Sequence, residues 1–173
     1  RPRMRRIRSE MALSVPDICD DHIEQLQVLD PVFQSYGGLE KFCGKVVTVR
    51  CFEDNSVVKS TLAGPGNGQV LVVDGSGSMR CALLGDLLGA MARDNGWRGV
   101  LVNGCVRDVE ILKTIDIGVL ALNRHPVRSN KRGEGDLNIP VRFNGVNFRT
   151  GQFLYADENG VVVAEQDLEV EFG

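Results

Sequence analysis

The sequence lacks the cysteine patterns of disulfide-rich and zinc-binding proteins. Its five cysteines are odd in number and scattered, and none of them belongs to a CxxC pair: Cys19, Cys43, Cys51, Cys81 and Cys105. This spacing argues against both a disulfide framework and a thiolate zinc site. A reducing cytoplasmic compartment fits these cysteines best.

Long apolar runs are also missing. No run approaches the roughly 20 residues that a membrane helix needs, and the arginine-rich start lacks the apolar segment of a secretory signal. We therefore expect a soluble protein that is not exported and has no membrane partner. Residues 1–10 carry five arginines with almost no apolar residues. We interpret them as a disordered basic arm, a cloning remnant or a contact for RNA, outside a domain placed at residues 11–173.

Charge of one sign is not in excess. Lys and Arg number 20 against 23 Asp and Glu, which gives a formal net charge of −3 over 173 residues. Mixed charges give no case for a direct nucleic-acid partner or a membrane surface. The length is that of one domain with a sizeable core.

Helix and strand patterns alternate over the first two thirds of the chain. Helical spacing predicts helices over residues 14–30, from residue 55 or 56, over 79–95 with a break at Gly85, and over 107–114. Apolar, β-branched runs predict strands over 45–52, 69–73, 99–103 and 118–122. This alternation predicts a parallel core of at least three strands. Trp97 is assigned to that core, and His22 to the packed face of the first helix.

The C-terminal part changes to a strand pattern. Asn144-Gly145 lies between alternating residues of 141–148, which is the strongest hairpin signal in the chain. A second turn at 157–160 leads into a strand over 161–164, and the acidic residues 165–171 are predicted to form a surface strand or tail. The sequence therefore predicts a single α/β domain with a mixed sheet and C-terminal antiparallel strands.

Arg107 and Asp108 mark a candidate site. They follow the predicted strand that contains Val100–Val102 and a turn predicted at Gly104, so they lie at a strand's carboxyl end. In open α/β sheets, ligands bind at that edge. Arg107 can hold an anion there, and Asp108 a cation.

Gly85 and Asp86 precede this pair and are predicted to face the same crevice. Gly85 interrupts a helical pattern, so we interpret it as the break between two short helices, with Asp86 capping the second. The backbone amides of Gly85, Asp86, Leu87 and Leu88 would then form a cradle for a carboxylate. A purely structural alternative makes Asp86 an N-cap, Gly85 a kink and Arg107-Asp108 an ordinary helix start.

Two loops have weaker signals. The glycine-rich turn at 74–78 follows a strand but lacks the GxGxxG spacing and the Lys-Ser/Thr ending of a nucleotide loop. The segment 123–136 has no apolar period and contains five basic residues, namely Arg124, His125, Arg128, Lys131 and Arg132. Long connections of this kind often bind ligands or partners, so the segment is a candidate for either role.

Several segments together resemble the RraA-like family, which joins regulators of ribonuclease E activity to metal-dependent aldolases acting on 4-hydroxy-4-methyl-2-oxoglutarate. The resemblance covers most of residues 14–164. Its segments are FEDN at 52–55, VLVVDGSGS at 70–78, GDLLG at 85–89, NGWRGVLVNGCVRD at 95–108, KRGEGD at 131–136 and LYADENGVVV at 154–163. The family's aldolases share an Asp, twenty intervening residues and then Arg-Asp, which Asp86, Arg107 and Asp108 match. One departure is Ser76, where the family's turn often has a third glycine in a row.

The resemblance implies a swivelling β/β/α domain, a homotrimer with sites near subunit contacts, and an aldolase that uses Mg²⁺ or Mn²⁺ on a 2-oxo acid substrate. In that site Asp108 would be the direct metal ligand, and Arg107 would lie beside the enolate oxygen. The Gly85–Leu88 amides would bind the pyruvyl carboxylate, and Asp86 would accept the 4-hydroxyl proton through a water. Oxaloacetate decarboxylation would follow from the same enolate.

Two rival functions stay open at this point. A Schiff-base aldolase would need a desolvated lysine, and Lys45 and Lys113 are available for it. A protein that inhibits a ribonuclease E-type enzyme without turnover would use the same fold, so the fold cannot decide between binding and catalysis.

Overall fold

The computed structural model describes residues 12–172, which begin with a short capped helix. The predictions for residues 1–10 lie outside these described residues. Helix α1, Val15–His22, starts with a capping box in which the backbone N–H of Asp17 donates to Ser14 Oγ at 3.3 Å. The Asp17 side chain in turn accepts from the backbone N–H of Ser14 at 3.0 Å. These reciprocal bonds satisfy amides that a helix start leaves free, so the start predicted at Ser14 is confirmed.

The prediction that this helix continues to Asp30 is wrong. After α1 come a 3-10 turn, Ile23–Gln25, and strand β1, Leu26–Val28. Leu26 pairs with Ala164 of an antiparallel neighbour, and this pairing outweighs the helical spacing of the leucines. His22 ends α1 half-buried, as expected of a packed helix residue.

The remaining elements alternate before the chain turns to β structure. They are β2 Gln34–Ser35, β3 Phe42–Arg50, α2 Ser56–Leu62, β4 Val70–Asp74, β5 Ala82–Leu84, α3 Asp86–Asp94, β6 Gly99–Val106, α4 Val109–Leu112, β7 Gly118–Arg124, β8 Asp136–Leu137, β9 Val141–Phe143, β10 Val146–Phe148, β11 Phe153–Asp157 and β12 Gly160–Ala164.

A mixed sheet of ten strands organises the described chain. Its main path runs β1-β12-β11-β3-β4-β6-β7-β2, with β5 beside β6 and β8 beside β3. Strands β3, β4, β6 and β7 are parallel neighbours, and β5 is parallel to β6. The pairs involving β1, β2, β8, β11 and β12 are antiparallel. The predicted mixed α/β class with C-terminal antiparallel strands is therefore confirmed.

Two details around the candidate site differ from prediction. Residues Ala82–Leu84 form β5 and not the first of two helices, because they pair with the end of β6. Gly104 is not a turn but lies inside β6, which is eight residues long and buried throughout. The pairing of β6 with β7 shifts register between Val102 and Cys105, so the glycine marks an irregularity within a strand.

Apolar side chains fill both faces of the sheet. One cluster packs the sheet against α2 and α3 and includes Leu62, Leu88 and Trp97. Trp97 is 5% exposed, and its indole N–H donates to the Gly64 carbonyl at 3.2 Å, so its predicted core position is confirmed. A second cluster lies under the β9–β10 hairpin and contains Phe148.

The hairpin and the C-terminus close the fold. Asn144 and Gly145 have φ values of 47° and 85° between β9 and β10, as the predicted two-residue hairpin requires. Within the described chain, residues 165–172 form no further helix or strand. They are nevertheless anchored, since the backbone N–H of Leu168 donates to the Tyr155 hydroxyl at 2.9 Å.

Two findings bear on the predictions about the protein's environment. All five cysteines are free thiols. Across residues 12–172, the structure contains no helix with the length and apolar character to cross a membrane.

Candidate active site

The carboxyl end of β6 presents Arg107 and Asp108 side by side. Strand β5 holds this end in place, because the backbone N–H of Arg107 donates to the Leu84 carbonyl at 2.9 Å. Asp108 then adopts φ 56° and ψ 41°, in the left-handed region that few non-glycine residues occupy. Aspartate tolerates this conformation better than most residues, and the turn leads directly into α4. After this turn the Asp108 carboxylate lies beside Gly85 and Asp86 at the start of α3.

One oxygen of Asp108 connects the two halves of the site. Oδ2 accepts a hydrogen bond from the backbone N–H of Asp86 at 3.2 Å and lies 3.9 Å from Arg107 Nε. A Cβ atom added to Gly85 would come within 2.5 Å of the same oxygen, so this close approach needs a glycine. Within the described chain, Oδ1 accepts no hydrogen bond. Asp108 therefore keeps one oxygen for a ligand while the other is held in place.

The helix start at Gly85 differs from the predicted carboxylate cradle. Gly85 itself is the N-cap of α3, and Asp86 is the first helical residue. The Asp86 amide is engaged by Asp108, and the Leu87 amide donates to Asp86 Oδ1 at 2.8 Å. The backbone N–H groups of Gly85 and Leu88 donate to no acceptor within residues 12–172. Two of the four predicted donors are therefore free to bind an anion in this geometry.

Arg107 leaves most of its guanidinium donors free. Its side chain is 40% exposed, and Nη1 donates a long hydrogen bond of 3.4 Å to the Pro126 carbonyl. Its other N–H groups make no hydrogen bond within the described residues. A planar guanidinium with several free donors can bind a carboxylate or enolate oxygen through two bonds at once.

All six predicted site residues line a single cavity of about 210 Å³: Gly85, Asp86, Leu87, Leu88, Arg107 and Asp108. This volume is below the roughly 300 to 1,000 Å³ of sites for drug-sized ligands, so the cavity suits a small metabolite. Leu88 is buried beneath it, whereas Leu87 is 79% exposed at its edge. The structure thus brings together residues that the sequence separates by more than twenty positions.

Two larger clefts lie elsewhere and share acidic residues. They measure about 640 and 350 Å³, and both are lined by Glu40, Asp157 and Glu158. A hydrogen bond to Glu158 and that residue's negative charge raise the pKa of Glu40. None of the six residues predicted for the metal-dependent site reaches either cleft. The smaller cavity is the better candidate, because it contains Arg107 with free guanidinium donors, the free carboxylate oxygen of Asp108 and the free amides at the start of α3.

The cavity also contains residues beyond the six that were predicted for the site. Asn55 and Lys59 come from the start of α2, and Arg128, Ser129 and Lys131 come from the segment between β7 and β8. The predicted ligand-binding loop at 123–136 therefore contributes side chains to the cavity. A neighbouring cleft of about 240 Å³ shares Arg107 and Asp108 and adds Arg124 and His125 from the same loop.

A buried carboxylate, Asp54, holds this loop against α2. Asp54 is 1% exposed and accepts hydrogen bonds from the backbone N–H groups of Ser56 at 2.9 Å, Arg132 at 2.7 Å and Glu134 at 3.4 Å. Burial raises the pKa of Asp54, but the hydrogen bonds from Ser56, Arg132 and Glu134 outweigh it, so the net pKa is lowered. The FEDN and KRGEGD segments are thus two halves of one contact.

A divalent cation fits the donors of the cavity. Within residues 12–172, no three His, Cys, Asp or Glu side chains form a metal-binding cluster. Mg²⁺, however, often takes only one or two protein carboxylates and keeps several waters. The free Oδ1 of Asp108 matches such a site, in which water and substrate oxygens complete the coordination.

The lysines do not favour imine chemistry. Lys45 and Lys113 are exposed and lie outside the cavity, and Lys59 and Lys131 reach it but are also exposed. A Schiff-base lysine needs a desolvated environment or a neighbouring cation that depresses its proton affinity. None of these four lysines is desolvated in the structure, so none of them meets this requirement by burial.

Comparison with known proteins identifies the family. The sequence model of the RraA-like family, described as Aldolase/RraA, matches residues 15–163. A protein from Azotobacter vinelandii is 52% identical over 160 residues, covering 92% of this chain and 99% of the relative. Its provisional name is 4-hydroxy-4-methyl-2-oxoglutarate aldolase.

Two solved structures have the same fold. The RNA-processing inhibitor RraA from Thermus thermophilis is 42% identical with a TM-score of 0.88, covering 94% of this chain and 100% of that one. A structure from Geobacillus kaustophilus, described as an S-adenosylmethionine:2-dimethylmenaquinone methyltransferase, is 45% identical with a TM-score of 0.89 and covers 90% and 97%. The names of these two proteins imply different activities. Both structures nevertheless share the fold of this chain and are matched over almost their whole length. The chain therefore belongs to the RraA-like family.

Proposed function

We propose that the protein is a divalent-metal-dependent aldolase that cleaves 4-hydroxy-4-methyl-2-oxoglutarate, or a related 4-hydroxy-2-oxo acid, to pyruvate. The observation that carries this proposal is the cavity in which Asp108 keeps a free carboxylate oxygen beside the free donors of Arg107. The relatives named as aldolases at 52% identity support the choice of substrate.

The reaction needs negative charge to be stabilised at one position. Loss of the 4-hydroxyl proton and cleavage of the C3–C4 bond release one pyruvate, and the electrons of the broken bond enter the enolate of a second. Protonation of that enolate at C3 then gives the second pyruvate. Positive groups placed where the enolate charge develops lower the barrier.

Arg107 and the helix start would orient the 2-oxo acid end. The free amides of Gly85 and Leu88 would bind its carboxylate at the N-terminus of α3, where the helix dipole favours an anion. The guanidinium of Arg107 would then lie beside the keto oxygen that becomes the enolate. Asp86 lines the same cavity, and its carboxylate would accept the 4-hydroxyl proton through a water.

Asp108 would hold the cation, Mg²⁺ or Mn²⁺, through Oδ1. When bound, the cation would supply Lewis-acid polarisation of the keto oxygen. The hydrogen bond from the Asp86 amide to Oδ2 keeps the carboxylate oriented, as an outer-shell contact does for many metal ligands. Oxaloacetate decarboxylation would need no further residue, because it forms the same enolate.

A second candidate function is inhibition of a ribonuclease E-type enzyme. The observation that favours it is the match to the RNA-processing inhibitor RraA over 94% of this chain and 100% of that one. Such inhibition would use a protein surface and not the cavity, so both functions can exist on one fold. We also propose a homotrimeric assembly and a cytoplasmic location, which light scattering and cell fractionation would test.

The experiment for the aldolase is pyruvate release from 4-hydroxy-4-methyl-2-oxoglutarate, followed with and without Mg²⁺ or Mn²⁺. We expect turnover with metal and its loss in excess EDTA. Full activity in EDTA, together with trapping of an imine by borohydride, would replace the metal mechanism with a Schiff-base mechanism. Inhibition of a ribonuclease E-type enzyme without any turnover would favour the second function.

A further inference from the structure

The cavity is basic although the chain is not. Among its lining residues, Lys59, Arg107, Arg128 and Lys131 give four positive charges, and Asp86 and Asp108 give two negative ones, for a net of +2. The whole chain has a formal net charge of −3. The lining of the cavity is therefore more positive than the chain as a whole, and the walls of a cleft strengthen the attraction of such charges for anions.

Three of these cations have no counter-ion among the residues that the structure describes. Within residues 12–172, the side chains of Lys59, Arg128 and Lys131 make no hydrogen bond and no ion pair. Some arginines elsewhere are paired: Arg80 forms two hydrogen bonds with Glu53, at 2.7 and 2.8 Å, and Arg93 pairs with Asp94 at 2.9 Å. The cations at the cavity are thus left free in a chain whose carboxylates outnumber its cations.

The backbone around these cations is held in place before any ligand arrives. Asp54 binds the N–H groups of Arg132 and Glu134, and Ser56 Oγ accepts from the N–H of Gly133 at 2.9 Å. Ser56 is also the first residue of α2, which carries Lys59 one turn later. The loop between β7 and β8 is therefore hydrogen-bonded to the start of α2, and Lys59 and Lys131 both line the cavity beside this contact.

Arg128 is positioned by a separate contact. The backbone N–H of Ala82 donates to the Val127 carbonyl at 2.8 Å, and Ala82 forms a parallel bridge with Arg128. The loop therefore follows β5, the strand that also supports Arg107. A rigid backbone reduces the ordering cost of binding, which is what a specificity site requires.

We propose that Lys59, Arg128 and Lys131 form a second anion subsite that selects substrates with a carboxylate at the end remote from the 2-oxo acid group. The proposal rests on the aldolase function above and adds to it, since Arg107 and the α3 amides account for only one carboxylate. The ligand class is then a short dicarboxylate 2-oxo acid. Lys131 and Lys59 determine specificity in this subsite and take no part in bond cleavage.

Turnover of two matched substrates tests the subsite. One is 4-hydroxy-4-methyl-2-oxoglutarate, and the other is 4-hydroxy-4-methyl-2-oxopentanoate, in which a methyl group replaces the remote carboxylate. We expect the ratio of their kcat/KM values to favour the dicarboxylate, and to fall by roughly tenfold or more in Lys131→Met and Lys59→Met, the loss expected for one charge-assisted contact. Lys113→Met removes an exposed lysine outside the cavity and should leave the ratio unchanged.

Binding of two unreactive ligands tests the same subsite without turnover. Calorimetry in the presence of Mg²⁺ compares 2-oxoglutarate with 2-oxopentanoate, which differ only in the remote carboxylate. We expect 2-oxoglutarate to bind the parent protein more tightly by roughly tenfold or more, and Lys131→Met and Lys59→Met to lose most of that advantage. Equal binding of the two ligands by the parent, or an advantage that survives the Lys59→Met/Lys131→Met double variant, would overturn the subsite.

The two measurements keep the proposals apart. If the parent releases no pyruvate from either substrate but binds 2-oxoglutarate preferentially through the lysines, the aldolase function fails and the subsite stands. If the parent is active and the two lysine variants lose both substrates in equal proportion, the subsite fails and the aldolase function stands.

Discussion

The backbone N–H of Asp86 donates a hydrogen bond to Oδ2 of Asp108 at 3.2 Å, and this bond joins the start of α3 to the end of β6. It occupies one carboxylate oxygen and leaves the other free. It also uses an amide that would otherwise be available to an anion at the helix start. The geometry of the candidate site therefore depends on the distance between these two segments.

Gly85→Ala tests that distance. The alanine Cβ would lie 2.5 Å from Asp108 Oδ2 and 3.3 Å from Arg107 Cγ, so the carboxylate must move. The backbone of Gly85 has φ −132°, which alanine adopts freely, so the fold should persist. Because a shift of about 1 Å can cost roughly 100-fold in rate, we expect pyruvate release to fall by about that factor.

Gly64→Ala is the matched control for this substitution. The nearest atom to its added Cβ would be 3.5 Å away, an ordinary contact, and the residue lies outside the cavity. We expect unchanged turnover and a melting temperature close to that of the parent. Full activity of Gly85→Ala would mean that the Asp86–Asp108 contact does not matter for catalysis.

Arg107→Lys separates charge from geometry. A lysine keeps the positive charge but cannot reproduce a planar fork that meets carboxylate and enolate oxygens together. We expect a fall of about 100-fold in kcat/KM, within the range seen when a transition-state donor is removed. If a ribonuclease binds through another surface, its inhibition by the variant should persist. Unchanged turnover would remove Arg107 from the catalytic role.

Asp54→Asn tests the contact that holds the basic loop. The amide would place an NH₂ group toward backbone donors that now bind a carboxylate, so we expect the free energy of unfolding to fall by about 1 to 3 kcal/mol. The folded pKa of Asp54 is lowered, so its stabilising contribution is present above the unfolded value of about 3.9 and is lost as pH falls through the folded value. Thermal unfolding of parent and variant between pH 3 and 7 measures this.

The expected pattern is specific to the carboxylate. The difference in melting temperature between parent and variant should be constant above about pH 5 and should shrink below about pH 4. Asp116→Asn, at an exposed carboxylate, should change the free energy of unfolding by no more than about 0.5 kcal/mol. A difference between parent and Asp54→Asn that is the same at every pH would refute the role assigned to Asp54 ionisation.

The sequence correctly predicted features that depend only on neighbouring residues. Arg107 and Asp108 were predicted at a strand's carboxyl end, where the structure has them directly after Val106. The hairpin at Asn144-Gly145 was equally predictable, because its backbone conformation is set by those two residues. Both features are determined by residues that are neighbours in the sequence, so a single sequence is enough to predict them.

Features that depend on distant partners were missed or assigned wrongly. Residues Ala82–Leu84 fit a helical pattern, since a short apolar run does not distinguish a helix from a buried strand, and pairing with β6 decides. The Asp54 carboxylate meets the N–H of Arg132 across 78 residues, and nothing near either residue signals the contact. Lys59 was therefore not assigned to any site, and Lys131 was assigned only to the candidate binding segment 123–136, although both residues line the cavity.

The role of Asp108 as the metal ligand is tested by pyruvate release from the parent and from Asp108→Asn, followed side by side over a range of Mn²⁺ concentrations. Asparagine accepts the left-handed backbone of residue 108, so the variant should fold with a similar melting temperature. We expect the parent to saturate with Mn²⁺ and the folded variant to show at least about 100-fold lower turnover at every concentration. A folded Asp108→Asn variant with the parent's turnover and the parent's Mn²⁺ dependence would contradict this role.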